Sequence, residues 1–395
     1  MRIYVTGIGL VSGIGANVSE HLQAFAANRH GMGKVTLFPT TLDATVSEVK
    51  LGNNELKVRL GLPQNKLYSR TTLLGMLAAK EALANSRIAG IKTIRTGFIS
   101  STSVGGMDLS ERFYADFKYN PQKADIRMAA QHDCGDSTQR IAEYLNITGF
   151  VTTVSTACSS AANAVIMGAR MIKNGLLDAV IAGGTDALCK FTLNGFNSLM
   201  ILDKKHCRPF DDSRAGLNLG EGAGYLVLQN EASLQFDPYC LLTGYANAND
   251  AYHQTATSPN GNGPYECMRQ SIEMAMISPN SVAYINVHGT GTPNNDMSEG
   301  KAIRRLFGEN IPPFSSVKAF IGHTLGAAEG IEAVLSVLSV TNGIIYPNLN
   351  FRSPVEGTNL IPVTEYCEGL ELRHVLSNSF GFGGNDSSLL FSKIN

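Results

Sequence analysis

The sequence predicts an α/β protein of two similar halves, with one buried helix from each half lying between two sheets. Three observations carry this. Strand-like and helix-like runs alternate along the 395 residues, as they do where helices connect parallel strands. The order of runs in residues 1–235 recurs in residues 236–395. Each half also contains one helix that is small or apolar on nearly every face, which marks a buried helix.

The elements follow in order. RIYVTGIG opens the first half as a strand and glycine, and CLLTGYANAND from Cys240 opens the second. Each half then has a strand ending in small residues, TGFISSTSVGG and YINVHGTGTPNND. Next comes a loop that runs into the apolar helix, STACSSAANAVIMGARMIKNG in one half and VKAFIGHTLGAAEGIEAVLSVLSVTNG in the other. These helices are expected over 159–172 and 331–340, and both stop at an Asn-Gly pair, a usual helix end. DAVIAGGTDA and HVLSNSFGFGGND close the halves. Helices over 71–86 and 266–277 are expected to cover the outside. The repeat is one of layout, since residue identity between the halves is slight.

Composition excludes several classes. The net charge of −1 gives no electrostatic case for nucleic acid. The seven cysteines are irregularly spaced with no CxxC pair, so zinc and redox motifs are unsupported, and an odd count fits a reducing compartment. MRIYVTGIGLVSG reads as strand and turn, not a signal peptide. No stretch approaches a membrane span. A soluble, cytoplasmic protein is expected.

Four clusters could carry chemistry. Cys158 sits where the run 150–154 meets the start of a buried helix. Free N–H groups and the helix dipole there favour a thiolate and can hold an oxyanion. The other six cysteines lack such a setting and read as structural. His288 follows YINV and precedes GTGT, at a strand end facing a cleft. His323 lies between Gly322 and Thr324 just before a helix, where an imidazole tends to stay neutral. Each histidine alone reads equally well as structural, and Lys318 alone as a surface lysine. In Phe380-Gly381-Phe382-Gly383-Gly384 the glycines allow positive φ and convergent N–H groups, so a regular strand is not expected. The two phenylalanines there could gate an apolar tunnel.

STACSSA, VHGTGTPNND, VKAFIGHTLGAAEGIEA and NSFGFGG, with CRPFDDSRAGLNLGEGAG and NDAYHQTATSPNGNG, resemble the elongating β-ketoacyl-acyl-carrier-protein synthases, which are thiolase-fold condensing enzymes. The resemblance runs from the first strand to the last. It implies a thiolase-like five-layer αβαβα fold and decarboxylative condensation of malonyl-carrier protein with an acyl chain held on Cys158, in fatty acid synthesis. His288 and His323 would assist decarboxylation, and Lys318 would hold His323 in place with Glu332 beside it. The N–H groups of Cys158 and Phe382 would form the oxyanion hole, and Phe382 would gate the pocket. Substrate contacts would come from Thr290 and Thr292 on the pantetheine arm, with Val104, Gly105 and Gly106 near the pocket floor, and from Phe380 and Glu332. No metal or organic cofactor is implied, because the substrates carry their own phosphopantetheine.

The implied partners are an acyl carrier protein and a second subunit, as a homodimer or alternatively a heterodimer, with no nucleic acid and no membrane. The carrier is acidic, so a basic rim is expected, with Lys66, Arg70, Lys204, Lys205 and Arg208 as candidates. The chain departs from the family at Asn385-Asp386, at Glu329 where a small residue is common, at Val104 where isoleucine is usual, and in a short segment 30–65. Two other readings follow: a condensing enzyme of an aryl polyene or polyketide-like pathway, and a non-catalytic partner subunit of the chain-length-factor type. A thiolase would need a second cysteine in the glycine turn, and Cys367 lies outside it.

Overall fold

The computed structural model describes residues 1–88 and 93–394. Ten strands form one mixed sheet: β1 Tyr4–Ser12, β2 Thr96–Ser101, β3 Phe150–Val154, β4 Ala179–Asp186, β5 Gly222–Gln229, β6 Cys240–Asn249, β7 Tyr284–Asn286, β8 Phe314–Ser315, β9 His374–Gly381 and β10 Asn385–Ser392. The strand order is β3-β2-β4-β5-β1 in the first half and β8-β7-β9-β10-β6 in the second. Adding five to each label converts one half into the other. β2 runs parallel to β3 and β4, as β7 does to β8 and β9, while the remaining pairs in each half are antiparallel. The halves join edge to edge where Tyr4 and Val5 pair antiparallel with Leu241 and Cys240.

Two expectations need correction here. The sheet is mixed, because each half ends in a strand that doubles back: β5 and β10 are the fifth strands, additional to the four runs per half that the pattern marks. The sequence GFGG also begins inside a strand, since β9 continues through Phe380 and Gly381 before the chain turns. A small separate sheet pairs Met32–Lys34, Thr45–Ser47 and Leu219–Gly220.

The helices that position the site are α1 Arg70–Ser86, α2 Cys134–Tyr144, α3 Ser160–Lys173, α4 Lys190–Ser198, α5 Asn262–Met274, α6 Pro293–Phe307, α7 Lys318–Ile321 and α8 Ala328–Asn342. α1 and α2 cover the outer face of the first half, and α5 with α6 covers the second. α3 and α8 lie between the halves and touch strands of both, which gives five layers. α8 is buried at every residue from Ala328 to Val340. Both central helices stop at the Asn-Gly pairs, with Gly175 at φ +69° and Gly343 at φ +67°. α8 begins three residues earlier than the apolar pattern suggests, because Glu329 interrupts that pattern and is nonetheless buried.

α8 reaches β5 by backbone contact. A Cβ on Gly224 would stand 2.3 Å from the carbonyl carbon of Gly330, so the glycine is required by the approach of helix to strand. Gly224→Ala is therefore expected to cost about 1–3 kcal/mol through overpacking, read as a lower urea midpoint with an unchanged slope. A variant as stable as the parent would contradict the contact.

Candidate active site

The loop after β3 delivers Cys158 to the head of α3. Ala157 takes φ +53°, a conformation that a non-glycine residue adopts only when its surroundings enforce it. Those surroundings are a small hydroxyl network. The Ser160 hydroxyl accepts from the Thr156 N–H at 2.8 Å and donates to the Ala157 carbonyl, while Ser159 donates to the Thr156 carbonyl at 2.9 Å. From the other half of the molecule, Ser379 on β9 donates to the Cys158 carbonyl at 2.9 Å.

The sulfur is buried, and its own N–H and that of Phe382 both point at it. Burial nevertheless dominates and pushes the thiol up to about 11, with the Phe382 N–H and the Lys318 charge opposing it. The expected resting thiolate is thus corrected: removing water costs the anion more than the N–H groups return.

His288 follows β7, with Gly289 and Gly291 at positive φ beyond it. The N–H groups of His288 and Gly289 both donate to the Glu299 carboxylate of α6 at 2.9 Å. Lys318, at the first position of α7, reaches back beneath this loop. Its ammonium donates to the His288 carbonyl at 2.6 Å, meets His288 Nδ1 at 3.3 Å and pairs with Glu332 Oε1. Lys318 therefore holds His288, not His323 as the sequence suggests. Glu332 is 1% exposed and faces Lys318, so it is an anchor for the lysine and not a substrate contact.

His323 has its own anchor. Its Nδ1 accepts the Leu325 N–H at 3.0 Å, and Leu325 takes φ +55° to present it. Asp186 fixes that turn by accepting the Gly326 N–H at 2.7 Å, and it also accepts N–H groups of Ser103 and Val104. Burial, with Lys318 adding to it, drives His323 down to about 3 and His288 well below its usual range. Both imidazoles are neutral, both have Nδ1 as acceptor, and so both carry the proton on Nε2. The two rings lie edge to face at 5.4 Å. Cys158, His288 and His323 can each present a ligand atom within 4.8 Å of the others.

These groups line a cavity of about 290 Å³. Phe380 packs on His288 at 5.9 Å, and Phe382 stacks on Phe196 of α4 at 6.0 Å and 15°. After Phe382 the chain turns through Gly383 at φ +82° and Gly384 at φ +77°, and the Gly383 N–H is held by the Gln254 carbonyl at 2.8 Å. Thr290 and Thr292 line the mouth with their hydroxyls 2.8 Å apart, and Thr292 also caps α6. Val104 is not part of the lining. It sits one layer behind, in the apolar cluster of Leu193, Leu217 and Leu325.

Of the apolar wall of Phe196, Met200, Ile201 and Leu217, only Leu217 falls inside a quoted motif, and the clamp Glu299 falls in none. Met200 at φ +56° is the nearest to a signal, and sequence does not show it. Of the basic rim candidates, Arg70 is buried in a pair with Glu221 at 2.6 Å and is no surface cation, and Arg208 pairs with Asp203 at 2.7 Å.

The family description "Beta-ketoacyl synthase, N-terminal domain" matches residues 1–233, and "Beta-ketoacyl synthase, C-terminal domain" matches residues 239–352. The chain belongs to the β-ketoacyl synthase family. A 3-oxoacyl-[acyl-carrier-protein] synthase 2 of Coxiella burnetii (strain RSA 493 / Nine Mile phase I) is 31% identical over 408 residues, covering 100% of this chain and 99% of the relative. The enzyme of the same name from Staphylococcus aureus (strain MRSA252) is 30% identical over 407 residues, covering 100% and 98%.

Solved structures are equally similar. "The ishigamide ketosynthase/chain length factor" matches with a TM-score of 0.92 at 29% identity, covering 100% of this chain and 99% of that one. The ketosynthase ApeO in complex with its chain length factor ApeC from Xenorhabdus doucetiae gives 0.88 at 32%, covering 100% and 98%. The synthase shares their thiolase-like fold. No helix among the described residues is long and apolar enough to cross a membrane.

A thiol raised to about 11 has a falsifiable signature. The rate of Cys158 alkylation by iodoacetamide should climb through the alkaline range with no plateau below about pH 9. A plateau near neutrality would mean a preformed thiolate and would contradict the burial argument.

Proposed function

We propose that the protein is an elongating 3-oxoacyl-[acyl-carrier-protein] synthase that condenses malonyl-carrier protein with an acyl chain held on Cys158. One observation carries the reading: a buried thiol shares a cavity with two neutral imidazoles whose Nδ1 atoms are both occupied, leaving two Nε2–H donors for one oxygen.

In the first step Cys158 attacks the thioester carbonyl of an acyl-carrier protein. Its proton passes to the departing pantetheine sulfur, and the N–H groups of Cys158 and Phe382 hold the oxyanion. Because the thiol is protonated at rest, this transfer accompanies attack instead of preceding it. In the second step His288 and His323 donate from Nε2 to the thioester carbonyl of malonyl-carrier protein. The bond to the carboxylate breaks, CO2 leaves, and its electron pair becomes the enolate that these donors stabilise. The enolate carbon attacks the acyl-Cys158 carbonyl. Collapse expels the Cys158 sulfur, which takes up one proton from water, and releases the 3-oxoacyl-carrier protein. Neither imidazole need change charge, and no cofactor enters any step.

Thr290 and Thr292 suit the pantetheine arm, and Phe382 suits a gate, because it is half-buried and hinged on two glycines. A dimeric assembly is supported by exposed apolar side chains on one side of the first half, Tyr114, Phe117 and Phe191. Seven free cysteines suit the reducing cytoplasm. A second reading, a ketosynthase working beside a chain-length-factor subunit, is favoured by the full-length likeness to the ishigamide and ApeO–ApeC structures, both of which are described with a chain length factor. A purely non-catalytic role is disfavoured by the intact Cys158, His288 and His323.

Intact mass after incubation with saturated and aryl acyl-carrier proteins tests this. The expected result is one added acyl mass that is absent from Cys158→Ala, with the fastest-loading chain identifying the substrate class. No loading from any donor, with or without a partner subunit, would overturn the reading.

A further inference from the structure

Glu329 is the one titratable group on α8 that the mechanism leaves unused, and no part of it is exposed. Neither of its carboxyl oxygens makes a hydrogen bond of full geometry among the described residues, although the Ser377 hydroxyl on β9, itself buried and otherwise unpartnered, stands near enough to favour its charged form. It lies one helical turn before Glu332, on the same face of α8. Glu332 spends Oε1 on Lys318, and its Oε2 is likewise buried and unpartnered. The other groups facing Glu329 are Lys318 on α7, Ser377 on β9 and Glu299 on α6. Glu329 is not among the groups that shift either imidazole.

A buried carboxyl group with no cation of its own is stable only as the acid, and a buried acid needs an acceptor for its proton. The free oxygen of Glu332 is such an acceptor. Were both glutamates ionised, Lys318 would face two negative charges on one side and would be drawn from His288 Nδ1. With one proton between them, the cluster holds one ammonium and one carboxylate, and the lysine stays bridged. We propose that Glu329 is a positioning residue for His288: as an uncharged acid it donates its proton to the free oxygen of Glu332, and so leaves the single negative charge that keeps Lys318 against His288. This rests on the reading of His288 as a donor in decarboxylation.

The pH direction supports the geometry. Burial, and then the neighbouring Glu332, raise the Glu329 carboxyl well above its usual range, so it keeps its proton to higher pH than an ordinary carboxyl and gains charge as pH rises, while burial lifts Glu332 to about 7 against the pull of Lys318. Decarboxylation should therefore fall on the alkaline side as Glu329 ionises.

The test is CO2 release from malonyl-carrier protein between about pH 6 and about pH 9.5, with loading of Cys158 followed by intact mass. Glu329→Leu should lower CO2 release at neutral pH about tenfold, the effect of losing one hydrogen bond to a charged group, while Cys158 still loads. Glu329→Gln, whose amide can still donate to Glu332, should restore most of that rate and lack the alkaline fall of the parent. Superimposable pH profiles for the parent and Glu329→Gln would overturn the proposal, as would a Glu329→Leu rate equal to the parent's. A parent rate that rises with potassium or magnesium chloride, and loses that response in Glu329→Gln, would show an ionised carboxylate balanced by a cation and would also overturn it. Absence of both loading and CO2 release in the parent would overturn the functional reading along with it.

Discussion

A fully buried lysine is tolerated only when all three of its ammonium protons find acceptors. Lys318 finds them in the His288 carbonyl, His288 Nδ1 and Glu332. These acceptors come from two places in the fold, the end of β7 and the second turn of α8, while the lysine itself stands in the first turn of α7. Satisfying one charge thereby ties together a strand end and two helices of the second half. The same contacts leave the His288 proton on Nε2. The chemistry of the histidine is thus a consequence of how the lysine is buried.

The two halves contribute unequal parts to one cavity by equivalent routes. In each, the segment between a strand and the buried helix holds a strained turn beside a functional group, directly after β3 in the first half and after β8 and α7 in the second. Ala157 carries the strain beside Cys158, and Leu325 carries it beside His323. Cross-half hydrogen bonds lock the two turns together, Ser379 to the Cys158 carbonyl and Asp186 to the Gly326 N–H. The thiol is thereby held near both imidazoles by backbone anchors, and no flexible side chain has to bring them together. Such preorganisation lets the donors act without rearrangement when an oxyanion forms. Phe382 is tied by its stack on Phe196 and by the hydrogen bond of the following Gly383 N–H to the Gln254 carbonyl.

Much of this was legible in the chain. The paired layout and the two buried helices with their Asn-Gly ends follow from glycine placement and apolar periodicity, which local physics controls, while the grouping of Cys158, His288 and His323 is what the family resemblance implies. Other features depend on three-dimensional proximity that no spacing encodes. Lys318 lies five residues from His323 and thirty from His288, yet its ammonium meets the distant one. Glu332 carries the composition of a polar surface and sits in the core, because one carboxylate can neutralise one ammonium there. The Cys158 thiol sits at a helix N-terminus, which lowers a thiol's pKa, but its burial proves the larger effect. β5 and β10 are missed because each begins immediately after a glycine-rich stretch that reads as a loop.

The central claim is that both histidines are neutral and carry their proton on Nε2. Nitrogen-15 NMR of histidine-labelled protein, with His288 and His323 assigned by single substitution, measures this directly. The expected result is two imidazoles with an unprotonated Nδ1 and a protonated Nε2 whose shifts do not move between about pH 5 and about pH 9. An imidazole that titrates near its ordinary value, or a proton on Nδ1 of either ring, would contradict the account.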